Sequence, residues 1–144
     1  MTLEETISLF KPLDVRNRLE LLLTYSEELP PLPPGLAAER DSGTARVHEC
    51  QTPVWLWVTV SNGTVQIIGD AAEEAPTVRG FVSLLMDMLN GKTVEEVLAT
   101  PVDLVSRLGI DQALGMLRMR GLTSMVMRIK REVHLQSGEI QATM

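Results

Sequence analysis

The hydrophobic positions of this chain change their spacing twice. Up to about residue 29 they recur at three- and four-residue intervals, which is the spacing of one helix face. In the middle of the chain, β-branched and aromatic residues come together, which favours strands. After residue 70 the helical spacing returns. The order of helices, a small sheet and further helices predicts an α+β fold.

Two helices are predicted in the N-terminal part. Thr2 and Glu5 have the spacing of a capping box, so a short first helix begins there and stops before the next proline. Asp14 is placed to cap a second helix over about residues 15–29, which the following prolines end. Residues 30–45 are rich in proline and polar residues. We interpret them as an exposed, partly extended linker rather than as an SH3-type ligand.

Three short strands are predicted next. Residues 54–60, VWLWVTV, suit a pleated surface, and the Asn62 and Gly63 pair that follows is a strong hairpin-turn signal. TVQIIG, residues 64–69, returns as the partner strand. We interpret ARVHE, residues 45–49, as a third and shorter strand. The small antiparallel sheet would therefore have about three strands, packed against several helices.

A long helix is predicted directly after the sheet. Its inward positions are hydrophobic and share one face: Val78, Phe81, Val82, Leu85 and Leu89. Gly91 stands where a glycine commonly ends a helix. Thr93 and Glu96 form a second capping box, which opens a short helix that ends at about residue 99.

Two more helical segments are predicted in the last part of the chain. Thr100 is placed to cap a turn of helix that begins with Pro101 and ends at Gly109. A last helix covers about residues 118–133. Its inward positions are Leu122, Met125, Val126, Ile129 and Val133.

Length and composition agree with one globular domain. The chain has 144 residues, of which 44% are hydrophobic and 22% charged. We expect one domain over residues 1–144, with a core over about residues 14–133 and a short flexible C-terminal tail. The net charge of -6 argues against nucleic acid as a partner. Because neither a signal peptide nor a membrane span is visible, we expect a cytoplasmic protein without a membrane partner.

The sequence offers few groups for metal or nucleotide chemistry. It has one cysteine and two distant histidines, His48 and His134, and no pair with metal-ligand spacing. No glycine-rich phosphate-binding motif occurs. A lone cysteine cannot form an internal disulfide, which is typical of a reducing compartment. We therefore expect no metal and no cofactor in this chain.

Cys50 is the strongest candidate for chemistry, although free cysteines are among the most buried residue types. It follows the third predicted strand at a turn, where functional groups are often displayed. Strand alternation would place Arg46 and His48 on its face, and two cations favour the nucleophilic thiolate. Glu49 would act against this if it pointed inward. His48 is equally well explained as an ordinary residue at a sheet edge.

RVHECQTPVW, residues 46–55, resembles the signature of the SufE family, approximately R-V-x-G-C-x-S-x-V-W. The direct matches are Arg46, Val47, Cys50, Val54 and Trp55. Thr52 replaces a serine, and Glu49 replaces a glycine. Three further segments are similar: LELLLTYSEELPPLP, VRGF and LRMRGLTSMVMRIK. The resemblance covers about residues 14–133.

The resemblance implies a SufE/NifU-like fold and a role in iron–sulfur cluster assembly. Cys50 would accept persulfide sulfur from a cysteine desulfurase, stimulate that enzyme and pass the sulfur to a downstream scaffold. Pyridoxal phosphate would belong to the desulfurase, and this chain would be a carrier rather than a stand-alone enzyme. Supporting or docking roles are implied for Arg46, His48, Glu49, Gln51, Thr52, Arg79 and Arg118.

Other interpretations stay open at this point. A cluster scaffold of the same fold needs several thiolate or imidazole ligands, and one cysteine is too few within a monomer. In a regulatory relative that transfers no sulfur, Glu49 would make Cys50 inert. Glu49 would strain the backbone if its φ were positive, and its charge would raise the thiol pKa. Arg118 either docks the partner, holds the charge of the thiolate or is an ordinary surface arginine. The oligomeric state, monomer or homodimer, is also open.

Overall fold

In the computed structural model, helices pack around one hairpin of strands. The structure describes the backbone of residues 2–143 and the side chains of residues 2–138. The helices and strands are α1 Leu3–Phe10, α2 Val15–Glu27, α3 Ala37–Ser42, β1 Val54–Ser61, β2 Thr64–Ala71, α4 Pro76–Leu89, α5 Val94–Leu98, α6 Leu104–Arg107 and α7 Met116–Thr143. The predicted α+β class is confirmed.

The hairpin formed by β1 and β2 turns where the sequence predicted. Asn62 and Gly63 have φ angles of 53° and 78°, as a tight hairpin turn requires. The antiparallel register pairs Val54 with Ala71 at the open end of the hairpin. The chain therefore folds back on itself with every residue of β1 opposite one of β2.

The predicted third strand is wrong. Residues 45–49 contribute a single bridge between Arg46 and Trp55, so the sheet in the described part of the chain has two strands. The backbone then turns, and the N–H of Cys50 donates to the carbonyl of Val47 at 3.2 Å. This turn interrupts the side-chain alternation that a strand would have maintained.

The core lies between the hairpin, α4 and α7. All predicted inward residues of the two helices are buried: Val78, Phe81, Val82, Leu85, Leu89, Leu122, Met125, Val126, Ile129 and Val133. Fully burying one such side chain stabilises a fold by about 1.5–3 kcal/mol. α2 and α4 cross in close contact at Gly80. This approach is possible because Gly80 has no side chain, since a Cβ there would overlap the backbone carbonyl of Leu22.

Capping residues confirm three predicted helix starts. The side-chain oxygens of Thr2, Asp14 and Thr93 each accept the backbone N–H three residues later, at 3.1, 2.8 and 3.1 Å. The predicted cap at Thr100 is wrong. Its hydroxyl instead donates back to the carbonyl of Glu96 at 3.3 Å, and α6 begins only at Leu104.

The linker prediction for residues 30–45 is wrong in its second half, which forms α3. Contacts with the hairpin hold this short helix. Trp57 Nε1 donates to Glu39 Oε2 at 3.0 Å, and Arg40 Nη1 lies 3.0 Å from Asp70 Oδ2. Isolated helices of this length are unstable in water, so tertiary contacts decide its conformation.

α7 is longer than predicted at both ends. It begins at Met116, and its backbone stays helical to Thr143, beyond the predicted end near residue 133. The flexibility of the C-terminal tail stays a prediction. The predicted domain bounds include Met1 and Met144, which lie outside the described residues. None of the helices in residues 2–143 combines the length and the apolar composition needed to span a membrane.

Candidate functional site

Cys50 lies on a tight turn that is held against the first half of α7. Arg128 Nη1 donates to the carbonyl of Arg46 at 2.8 Å, which ties the segment before the turn to α7. The Cys50 side chain is 5% exposed and belongs to the hydrophobic core. The thiol is therefore screened from solvent in this conformation.

Two groups of α7 contact the sulfur. Cys50 Sγ donates to the carbonyl of Gly121 at 3.2 Å, and Ser124 Oγ lies 3.8 Å from Sγ. The helix approaches this closely because Gly121 has no side chain. A Cβ there would lie 3.3 Å from Sγ, tighter than an ordinary van der Waals contact.

Ser124 is a site residue that sequence reasoning missed. It follows Gly121 by three residues and therefore lies on the same side of α7. That spacing was visible in the sequence. What the sequence did not show is that this side of the helix meets Cys50, because the two residues are 74 positions apart.

The surroundings raise the pKa of the Cys50 thiol above its ordinary value of 9.0. Burial is the largest cause, because it disfavours the charged thiolate. The hydrogen bond with Ser124 opposes this, the charge of Glu49 raises the pKa further, and the charge of Arg46 lowers it. The neutral thiol is therefore the resting form at neutral pH.

A hollow of about 130 Å³ opens beside the thiol. It is lined by Cys50, Gln51, Thr52, Val78, Leu117, Arg118, Gly121 and Leu122. Its wall combines apolar side chains from α4 and α7 with a polar edge from the Cys50 turn and Arg118. A cavity needs only about 10–15 Å³ to admit a water-sized group, so an atom bonded to Sγ has room here.

The structure brings several predicted site residues together. Gln51, Thr52 and Arg118 line the hollow with Cys50. Arg46 does not line it. Its guanidinium lies 5.8 Å from the centre of the Trp55 ring, yet its charge still lowers the thiol pKa.

His48 and Arg79 lie elsewhere. His48 is exposed on the turn, so its predicted placement on the Cys50 face is wrong. Arg79 Nη1 donates to the carbonyl of Ala71 at 2.7 Å and lies 3.6 Å from Asp70 Oδ1, outside the hollow. These contacts stabilise the end of β2 and the first turn of α4.

Glu49 does not strain the backbone. Among the described residues other than glycine, Asn62 is the one with a positive φ, so Glu49 adopts an ordinary conformation. Its side chain is exposed and does not point into the core. The effect of Glu49 on the site is therefore electrostatic, through the thiol pKa.

The described residues contain no group of three or more His, Cys, Asp or Glu side chains that could hold a metal ion. Within the described residues, Cys50 is therefore not part of such a group. What the arrangement can do chemically depends on the thiol and on the hollow beside it.

Comparisons with known proteins match the whole of this site. A family model described as "SufE: Fe-S metabolism associated domain" matches residues 4–133. An uncharacterised SufE-like protein of Mycobacterium tuberculosis is 39% identical over 132 residues, which are 91% of this chain and 90% of that protein. The sulfur acceptor protein CsdE of Escherichia coli is 31% identical over 128 residues, 87% of this chain and 83% of CsdE.

A solved structure is also similar. The solution structure of a hypothetical protein from Thermus thermophilus has a TM-score of 0.78 and 35% sequence identity. The match covers 93% of this chain and 96% of that one. The likeness therefore extends over most of the fold.

Proposed function

This chain belongs to the SufE family, and we propose that it is a sulfur acceptor of iron–sulfur cluster assembly. Cys50 takes sulfur from a persulfide on a cysteine desulfurase, stimulates that enzyme and passes the sulfur to a downstream cluster scaffold. Pyridoxal phosphate stays with the desulfurase, and this chain needs no cofactor. It acts as a carrier and activator, not as a stand-alone enzyme.

One observation carries the proposal. The single thiol of the chain forms part of the wall of a hollow that has room for an added sulfur atom. A cysteine that served only as a core hydrophobe would leave no space beside its sulfur, because protein interiors are close-packed. The name of the relative CsdE, a sulfur acceptor protein, supports the same function.

The transfer step balances without an added oxidant or reductant. The Cys50 thiol first loses its proton, and the thiolate attacks the outer sulfur of the persulfide on the desulfurase. A bond forms between Sγ and that sulfur, and the sulfur–sulfur bond of the donor breaks. The electron pair of the new bond comes from the Cys50 thiolate. The electron pair of the broken bond leaves with the donor cysteine, which becomes a thiolate.

The burial of Cys50 requires the turn to move during transfer. A side chain that is 5% exposed cannot be reached by a cysteine of another protein. Hydrogen bonds to Arg46 O and from Sγ tie the turn to α7, and such bonds can open locally. We infer that binding of the desulfurase displaces the turn and exposes the thiol.

The hollow then shelters the product. A persulfide in water is readily lost or reduced, whereas one that returns to the hollow lies against Val78, Leu117 and Leu122. Arg46 supplies positive charge near the sulfur, Arg118 lines the hollow, and Gln51 and Thr52 form the polar edge. A lone thiol must also stay reduced between transfers, which agrees with a reducing compartment such as the cytoplasm.

Intact mass tests the proposal directly. The full chain is mixed with a pyridoxal-phosphate-dependent cysteine desulfurase and free cysteine, and its mass is measured without reducing agent. We expect the mass of one or more added sulfur atoms on the wild type and none on Cys50→Ser. Sulfide release by the desulfurase should rise with the wild type and stay at its basal rate with Cys50→Ser.

Two results would contradict the proposal. Sulfur that is still added to Cys50→Ser would exclude Cys50 as the acceptor. Faster sulfide release without any added sulfur on the wild type would indicate a regulatory protein with an inert thiol. Iron-dependent visible absorbance after anaerobic reconstitution would instead indicate a cluster scaffold.

A further inference from the structure

We propose that Ser124 stabilises the charged sulfur of Cys50 while the turn lies against α7: its hydroxyl donates to Gly121 O while Cys50 is a thiol, and to the sulfur once the thiol proton is lost. This deepens the proposed function, on which it rests, by adding a positioning residue. Three atoms, Cys50 Sγ, Gly121 O and Ser124 Oγ, form a closed triangle between the Cys50 turn and α7.

The distances in the triangle are short enough for hydrogen bonds along every edge. Ser124 Oγ donates to Gly121 O at 2.6 Å, and Cys50 Sγ donates to the same carbonyl at 3.2 Å. Ser124 Oγ and Cys50 Sγ are 3.8 Å apart, where either atom could be the donor. The Gly121 carbonyl can thus accept both hydrogens while Cys50 is protonated.

Loss of the thiol proton changes this arrangement. A thiolate cannot donate, and its negative charge then faces the negative end of the Gly121 carbonyl dipole at 3.2 Å. The Ser124 hydroxyl can respond by turning its hydrogen from Gly121 O to Sγ, which needs a rotation about one bond. A hydrogen bond to the charged form of a group favours that form.

Ser124 is the one side-chain hydrogen-bond partner of the sulfur among the described residues. Arg46 lowers the thiol pKa only through its charge, because its guanidinium lies over Trp55. After transfer, the sulfur of Cys50 carries another sulfur atom and no proton, so it again cannot donate to Gly121 O. Ser124 is placed to donate to it in that state as well.

The test measures the ionisation of Cys50 in the isolated full-length chain. Because the chain has one cysteine, ¹³Cβ labelling of cysteine gives a single resonance that can be followed against pH. In Ser124→Ala we expect the titration midpoint to rise. The ratio of thiolate to thiol at neutral pH should fall about three- to tenfold, as for loss of one hydrogen bond of ordinary strength.

Two further variants separate the hydroxyl from a packing effect. Ser124→Thr keeps the hydroxyl, so its titration should match that of the wild type. Thr123→Ala removes a hydroxyl from the neighbouring position of α7 that is not bonded to the sulfur, and it should leave the midpoint unchanged. Alanine is favourable in helices, so Ser124→Ala should fold.

The proposal is overturned if Ser124→Ala titrates as the wild type, if Ser124→Thr behaves like Ser124→Ala, or if Thr123→Ala shifts the midpoint equally. These measurements use no desulfurase. A failure of sulfur transfer to the wild type would therefore reject the proposed function and leave the titration result standing, whereas an unchanged titration would reject only the role of Ser124.

Discussion

The face of α4 that packs on the sheet and the Cys50 turn that packs on α7 are both buried, yet different interactions hold them. α4 contributes an almost unbroken run of buried residues from Val78 to Leu89. The segment of the turn, residues 46–52, buries two side chains, Val47 and Cys50, and is also held by hydrogen bonds from Arg128 to the Arg46 carbonyl and from the thiol to Gly121. A segment with few buried apolar side chains opens locally at a lower free-energy cost than one with many.

This difference suits a protein that must expose one sulfur atom without unfolding. The apolar packing between α4 and the sheet keeps this helix and the hairpin in place, and Val78 of α4 supplies one wall of the hollow. The Cys50 turn can then leave α7 and return to the same position. Substitutions in the two regions should therefore have different signatures: loss of stability in the first, and altered thiol reactivity in the second.

The largest effect is expected from Phe81→Ala in α4. Phe81 is fully buried, and truncating a buried phenylalanine costs about 3–5 kcal/mol of unfolding free energy. Urea unfolding followed by circular dichroism measures this loss. Leu23→Ala is the matched control, because Leu23 is 38% exposed on α2 and should cost much less. A loss for Phe81→Ala no larger than that of the control would remove the distinction between the two regions.

A smaller loss of stability, with a clear change in reactivity, is expected from Arg128→Met. The variant keeps the apolar stem but removes the donors to Arg46 O and Thr44 O. The loss of these hydrogen bonds should lower the free energy of unfolding by about 1–2 kcal/mol. Because these bonds hold the segment before the Cys50 turn, alkylation of Cys50 should become several-fold faster. Arg131→Met, at an exposed position of the same helix, is the control. If Arg128→Met lost stability but kept the wild-type alkylation rate, the turn would open by another route.

The smallest effect is expected from Glu49→Gln. The charge of Glu49 raises the thiol pKa, so its removal should lower the titration midpoint slightly. The change should shrink in high salt, because Glu49 is exposed and its charge is screened. Glu49→Asp, which keeps the charge, should titrate near the wild type. A midpoint that rises in Glu49→Gln would contradict the electrostatic role.

The same pKa shift has a consequence for stability. Because the thiol pKa is raised in the folded protein, the unfolded chain loses its thiol proton first as pH rises. The folded protein is stabilised by burying the thiol in its neutral form. This contribution to the free energy of unfolding is fully present below pH 9.0 and is lost as the pH rises through the raised pKa of the folded protein. In Glu49→Gln the folded pKa lies closer to 9.0, so this alkaline loss should be smaller than in the wild type.

Sequence reasoning succeeded where structure depends on nearby residues. The inward faces of α4 and α7 and the caps at Thr2, Asp14 and Thr93 follow from spacing within one helix, and all are confirmed. Sequence reasoning failed where contacts between distant residues decide the local conformation. α3 depends on its contacts with the hairpin, and the third strand stops because the chain turns to bring Cys50 against α7.

The candidate site also has some features that follow from the sequence and others that depend on tertiary contacts. The sequence by itself determined that Cys50 is the only thiol, that its segment resembles the SufE signature and that Glu49 replaces a glycine there. Only the tertiary structure decided what surrounds the sulfur. The carbonyl of Gly121 and the hydroxyl of Ser124 reach Cys50 because α7 packs against the turn, and such packing between distant segments leaves no periodic trace in the chain.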